Sequence, residues 1–137
     1  MELTRSFITA ALSLAIPTAL AAHPDAVAMR AQVFYRSFNA TSIAALDADA
    51  LANANDHQLI LTSPGQLQAL AQALSGTCTP APPEYARDLR LLIRWSGEYP
   101  WSWEASQFAY RDGRTGETCL FTRSHQDVVL ATLGLER

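Results

Sequence analysis

The chain contains no lysine: all ten of its basic residues are arginine. With 13 acidic residues, its formal net charge is −3. Phosphate recognition needs a basic face and a high isoelectric point, so this charge balance argues against a nucleic-acid partner. Histidine is nearly as scarce. His23, His57 and His125 are scattered, and no pair of them has the spacing of a metal site. Glycine is limited to six positions, each isolated, so there is no phosphate-cradling loop. The G-x-S-x-G elbow of a serine hydrolase is also missing. Asp47, Asp49 and Asp56 lack the sixth-position glycine and twelfth-position glutamate of a calcium loop. No cofactor, metal site or catalytic residue set is therefore expected.

Long apolar runs are absent too, with one short exception at the start. Residues 1–22 read MELTRSFITAALSLAIPTALAA. Arg5 gives a positive head, residues 7–16 an apolar stretch, Pro17 a break, and Ala19-Leu20-Ala21 a small-x-small cleavage pattern. The apolar part is too short for a membrane-spanning helix. These residues read as a signal peptide removed after Ala21 or Ala22, and residues 23–137 as one exported domain, periplasmic or secreted. No cysteine follows the cleavage pattern, so no lipid anchor is expected.

Export decides how the two cysteines are read. In an oxidising compartment a pair in a small domain forms a disulfide, and only Cys78–Cys119 is possible. Closing a loop of about 40 residues stabilises the fold by about 4 kcal/mol on chain-entropy grounds. That is a large share of the roughly 5–15 kcal/mol that holds a domain together. There is no C-x-x-C motif to suggest a redox thiol.

The rest of the chain alternates strand and helix signals. Residues 31–38 (AQVFYRSF) have strand composition and are apolar on both sides at their centre, as an inner strand is. Asp47 is placed to cap a short helix over 48–54. Residues 57–62 (HQLILT) form a second strand. Ser63-Pro64-Gly65-Gln66 then sets a helix start, with serine as cap and proline at the first helical position. Leu67, Leu70 and Leu74 follow at helical spacing, and Gly76 is the expected stop. Residues 77–84 hold three prolines, which cannot donate to a sheet ladder, so this connection is expected on the surface.

The remaining strands lie in residues 88–122, with all three tryptophans. Residues 88–95 alternate so that Arg90 and Arg94 share one side. Residues 101–110 resume an extended run with a bulge near Ala105, Asp112-Gly113 tips a turn, and 117–122 pair back. Residues 124–133 make a final helix, capped by Ser124 and ended by Gly134. The expected fold is α+β. A small antiparallel sheet, built from a C-terminal three-strand meander plus one or two N-terminal strands, carries two amphipathic helices on one face and one disulfide.

The candidate contact surface is residues 95–103, W-SGE-Y-P-W-S-W, since Trp, Tyr and Arg dominate binding hot spots. A turn cannot bury four large aromatics, so Tyr99 or Trp101 is expected outside. Arg94, Glu98, Tyr99, Trp101, Trp103 and Glu104 make up the expected partner-binding set. This points to a non-catalytic binding module whose partner is another protein, such as a toxin or cell-wall hydrolase that it inhibits or confers immunity to. The alternative is a glycan-binding protein or glycan hydrolase of the envelope, with Glu98 and Glu104 acting beside stacked aromatics.

Mass spectrometry of the exported protein should show loss of residues 1–21 or 1–22 and two hydrogens fewer than the dithiol form. Retention of residues 1–21 would contradict the cleavage, and alkylation of Cys78 and Cys119 without prior reduction would contradict the disulfide.

Overall fold

The computed structural model describes residues 29–41 and 44–137. The expected signal peptide lies outside the described residues. Six strands form one antiparallel sheet: β1 (Arg30–Tyr35), β2 (His57–Leu61), β3 (Leu91–Ser96), β4 (Trp101–Ala105), β5 (Ala109–Asp112) and β6 (Thr118–Leu120). Their order across the sheet is β2-β1-β3-β4-β5-β6. Among the described residues three α-helices accompany them: α1 (Ala48–Asn53), α2 (Pro64–Leu74) and α3 (Arg123–Leu133). The expected small α+β fold with its single disulfide is the observed one. It carries one strand more than expected.

The two faces of the sheet follow from the period of two along each strand. Ala31, Val33 and Tyr35 of β1 share a face with Leu91, Ile93 and Trp95 of β3, and with Trp103 and Ala105 of β4. α2 and α3 cover that face and contribute Leu67, Leu70, Val129 and Leu130. Trp103 is 0% exposed at the centre. Its ring stacks on Tyr110 at 5.0 Å and meets the edge of Phe121 at 5.4 Å. Aromatic pairs of this kind add about 0.5–1.5 kcal/mol each beyond the area they bury. On the opposite face, Phe34 and Leu92 form a smaller core with Leu51 of α1 and Leu89.

The helix ends follow elementary capping chemistry. The Asp47 carboxylate accepts from Ala50 N, and Ser63 Oγ accepts from Gln66 N. Gly134 ends α3 in the left-handed conformation, φ 68°. Two helix boundaries differ from the sequence expectation. Thr122, not Ser124, caps α3, because its hydroxyl accepts from His125 N. α2 stops at Ser75, whose backbone is extended and whose hydroxyl bonds back to Gln72 O, so Gly76 has no capping role.

The expected single run over 101–110 is two strands, not one with a bulge. Ser106 is the cause. Its Oγ accepts from Phe108 N and Ala109 N and donates to Tyr85 O, which gives the backbone turn partners in place of ladder partners. The strand expected over 88–95 begins only at Leu91. Arg90 lies before it, buried, and its guanidinium meets the Asp88 carboxylate at 2.8 Å and Ala40 O at 3.0 Å. The expected cationic pair of Arg90 and Arg94 is therefore not formed.

The proline-rich connection does more than cross the surface. Pro80 lies opposite Cys119, with Ala81 N donating to Thr118 O and Leu120 N to Thr79 O. Proline occupies the one position of this bridge that needs no N–H, so the segment covers the outer edge of β6. Cys78, two residues earlier, is bonded to Cys119 with the Cα atoms 5.2 Å apart.

The β5–β6 turn also holds a close approach. Gly113 N donates to Ser102 O at 2.8 Å, and a Cβ on Gly113 would overlap that carbonyl oxygen. Gly113→Ala should destabilise the protein by about 1–3 kcal/mol, because backbone must move to admit the methyl. Gly76→Ala, with open space around the added atom, should cost nothing measurable. Urea denaturation distinguishes them, and equal midpoints would contradict the turn packing.

Candidate functional site

The β3–β4 hairpin places the aromatic segment at one end of the sheet. Trp95 and Trp101 face each other across the ladder, and their rings stack at 5.2 Å with an 8° interplanar angle. Trp95 is only 5% exposed, while Trp101 is half-buried. Arg114, from the β5–β6 turn, lays its guanidinium 4.1 Å from the centre of the Trp101 ring. Trp95 approaches from the β3 side and Arg114 from the β5 side, so both faces of Trp101 are covered. A guanidinium over tryptophan contributes about 0.5–1 kcal/mol when exposed and about 2 when desolvated.

Asp112 fixes Arg114 in that pose. Its carboxylate receives Nε at 3.2 Å, Nη2 at 3.0 Å and the Arg114 backbone N at 2.8 Å. Burial pushes the Asp112 carboxyl up, but these hydrogen bonds and the arginine charge outweigh it, and its pKa falls below the ordinary value. Two rings, a guanidinium and a carboxylate thus form a braced column at the foot of the hairpin.

Beyond the column the chain turns through residues 97–100, with Gly97 at φ 155°. Tyr99 is 81% exposed at the tip, between exposed Glu98 and Pro100. The expectation that Tyr99 or Trp101 would lie outside is met by Tyr99.

The six expected contact residues fall into three places. Glu98, Tyr99 and the edge of Trp101 lie together at the hairpin end. Trp103 is in the core and has no surface to offer, which corrects its inclusion in the contact set. The register that pairs it with Ile93 points it under the helices. Arg94 and Glu104 project from the other face of the sheet, where Arg94 packs 5.5 Å over Phe34 and lies 3.4 Å from Asp49. Glu104 is three residues from Trp101, about 10 Å along the strand, and on the opposite side. Neighbours in sequence are thus separated by the pleat.

Asp112 and Arg114 were not visible as site residues. The Asp-Gly turn signal between two strands explains their sequence completely, and only the turn's position beside β4 brings them to Trp101. His125 also has a place that its position at a helix start conceals. Its Nε2 lies 2.8 Å from Ala73 O, and since a carbonyl only accepts, this nitrogen carries the proton and ties α3 to α2.

A concavity of about 500 Å³ opens at the far end of β3 and β4 between exposed Tyr85 and Phe108. Arg90 and Ser106 at its base are already bonded to the protein. Among the described residues, one group of side chains has metal-ligand proximity, Cys78, Glu117 and Cys119. Its two sulfurs are bonded to each other. Among the described residues no helix is long and apolar enough to cross a membrane.

Protonating Asp112 should release Arg114 and unstack the column. Its folded pKa is depressed, so its contribution is present above the unfolded value and is lost as pH falls through the folded one. Tryptophan fluorescence should therefore change in a transition below about pH 4. Asp112→Asn and Arg114→Ala should both abolish that transition; an unchanged acid titration in either variant would contradict the assignment.

In comparisons with known families, curated proteins and solved structures, the chain matches none of them.

Proposed function

We propose that this chain is a non-catalytic, exported binding module that engages another protein through the tip of its β3–β4 hairpin. The partner class that fits is an envelope enzyme or secreted toxin with a cleft that a narrow loop can enter, and the module acts on it as an inhibitor or immunity protein. One observation carries this reading: Tyr99 stands 81% exposed on a hairpin whose base is braced by the Trp95–Trp101–Arg114 column. An exposed aromatic on a mobile loop loses conformational entropy on binding. One held on a braced loop loses less, and that saving goes into affinity. Tyrosine adds a large contact area at the expense of only two rotatable angles. Glu98 next to it supplies a charged rim.

Export and the periplasmic or secreted location rest on the leader-like residues 1–22 and on the Cys78–Cys119 bond. A disulfide that closes an edge of the sheet is at home in an oxidising compartment.

The glycan alternative is less well supported by the same geometry. Sugar rings stack on an open aromatic face. Trp103 and Trp95 are buried, and Trp101 has Trp95 on one side and Arg114 on the other. Glu98 and Glu104 do not converge on a common groove, since one is at the tip and the other is on the α1 side of the sheet.

Two measurements test the proposal together. Titration with a peptidoglycan fragment should leave tryptophan fluorescence unchanged; saturable binding would favour the glycan reading. Tyr99→Ala should remove the partner captured from envelope extract by the native protein, by at least about tenfold in affinity for a hot-spot residue, without changing thermal stability. Undiminished capture by Tyr99→Ala would overturn the proposed contact.

A further inference from the structure

The two edges of the sheet are treated differently. The β6 edge is closed by Thr79 and Ala81, which bond to it on either side of Pro80, and by the adjoining disulfide. The β2 edge has no such cover among the described residues, since β2 is outermost in the strand order. Its sequence, HQLIL, holds no proline and no lysine, arginine or carboxylate. Those are the residues with which proteins normally protect an open edge.

The register shows which backbone groups are open. Arg36 N donates to Arg90 O at 2.8 Å, so the even-numbered residues of β1 bond towards β3. The odd-numbered ones bond towards β2, in the pairs Ala31–Leu61, Val33–Leu59 and Tyr35–His57. In β2, the main chain of residues 57, 59 and 61 is turned inward. The N–H and C=O of Gln58 and Ile60 are turned outward, two donors and two acceptors in a row. The Ile60 side chain is 56% exposed beside them.

We propose that this edge pairs with the β2 edge of a second copy of the chain, antiparallel, about a two-fold axis through Leu59. This surface is distinct from the hairpin tip. In that arrangement Gln58 N–H meets the Ile60 carbonyl of the second copy, Ile60 N–H meets the Gln58 carbonyl, and the axis repeats both bonds. All four open donors are satisfied at once. The strand carries no arginine, lysine or carboxylate to oppose its own copy, His57 is placed across from Leu61, and Asp56 before the strand is placed across from Thr62, away from the other Asp56. Because the β6 edge is closed, association stops at two copies and does not grow into a fibre. A five-residue pairing buries less than the ~1,200 Å² of a standard interface, so the dimer dissociates on dilution.

Sedimentation velocity on the disulfide-bonded protein should show a monomer–dimer equilibrium within about 1 µM to 1 mM. Hydrogen exchange at the Gln58 and Ile60 amides should slow at least about tenfold from the dilute to the concentrated end. Ile60→Pro removes an outward N–H without touching a β1–β2 bond and should be monomeric throughout. Should that variant fail to fold, Ile60→Lys keeps the backbone donor, sets two like charges close together across the axis, and should shift the equilibrium to monomer. A monomer across the whole range overturns the proposal. So does a dimer whose Gln58 and Ile60 amides stay unprotected, or one that survives the substitutions unchanged.

Discussion

The layout of this protein depends on the burial of one side chain, Trp103. It lies at the middle of β4 with Ile93 on one flank and Asp112 on the other, and nothing of it reaches solvent. A strand has a period of two, so fixing Trp103 under the helices fixes every other residue of β4. Trp101 must be on the helix side, two positions nearer the hairpin, where cover by the helices gives out. Ser102 and Glu104 must be on the other side. A slip of one residue would expose the largest ring in the core and reverse the whole arrangement.

From that register the site follows. Trp101 is left with a partly wet ring at the rim of the core, and its neighbours complete it. Trp95, its ladder partner, stacks on one face. Arg114 covers the other, because the Asp112–Gly116 turn folds back beside β4 with Gly113 against the Ser102 carbonyl. The Asp112 carboxylate both holds the arginine and is held by it. The hairpin tip beyond, with Tyr99, therefore rests on packed aromatic surface rather than on an unsupported turn.

Much of the fold was legible in the chain because local chemistry and tertiary packing agree there. The caps at Asp47 and Ser63, the leucine spacing of α2, the Gly134 stop and the single cysteine pairing are each decided by residues close in sequence or by elimination. What was not legible needed distant partners. Ser106 ends a strand because Tyr85 and Ala109 are near enough to bond with it. Arg90 is buried because Asp88 and the Ala40 carbonyl receive it. The candidate site was legible as a segment but not as an arrangement. Tyr99 was identifiable as a tip residue from its turn. The division of Trp103, Glu104 and Arg94 among core and opposite faces required knowing which face the helices cover. Arg114 lies in another turn altogether.

The central claim is that Trp101 is clamped between Trp95 and Arg114, and that this clamp holds the hairpin. The most direct measurement is the NMR chemical shift of the Arg114 side-chain protons in the folded protein. A guanidinium seated 4.1 Å over an indole lies within its ring current, so the δ and ε protons should be displaced well upfield of their free positions and should return on Trp101→Leu. Free-arginine shifts for Arg114 in the native protein would contradict the account, whatever the rest of the fold looked like.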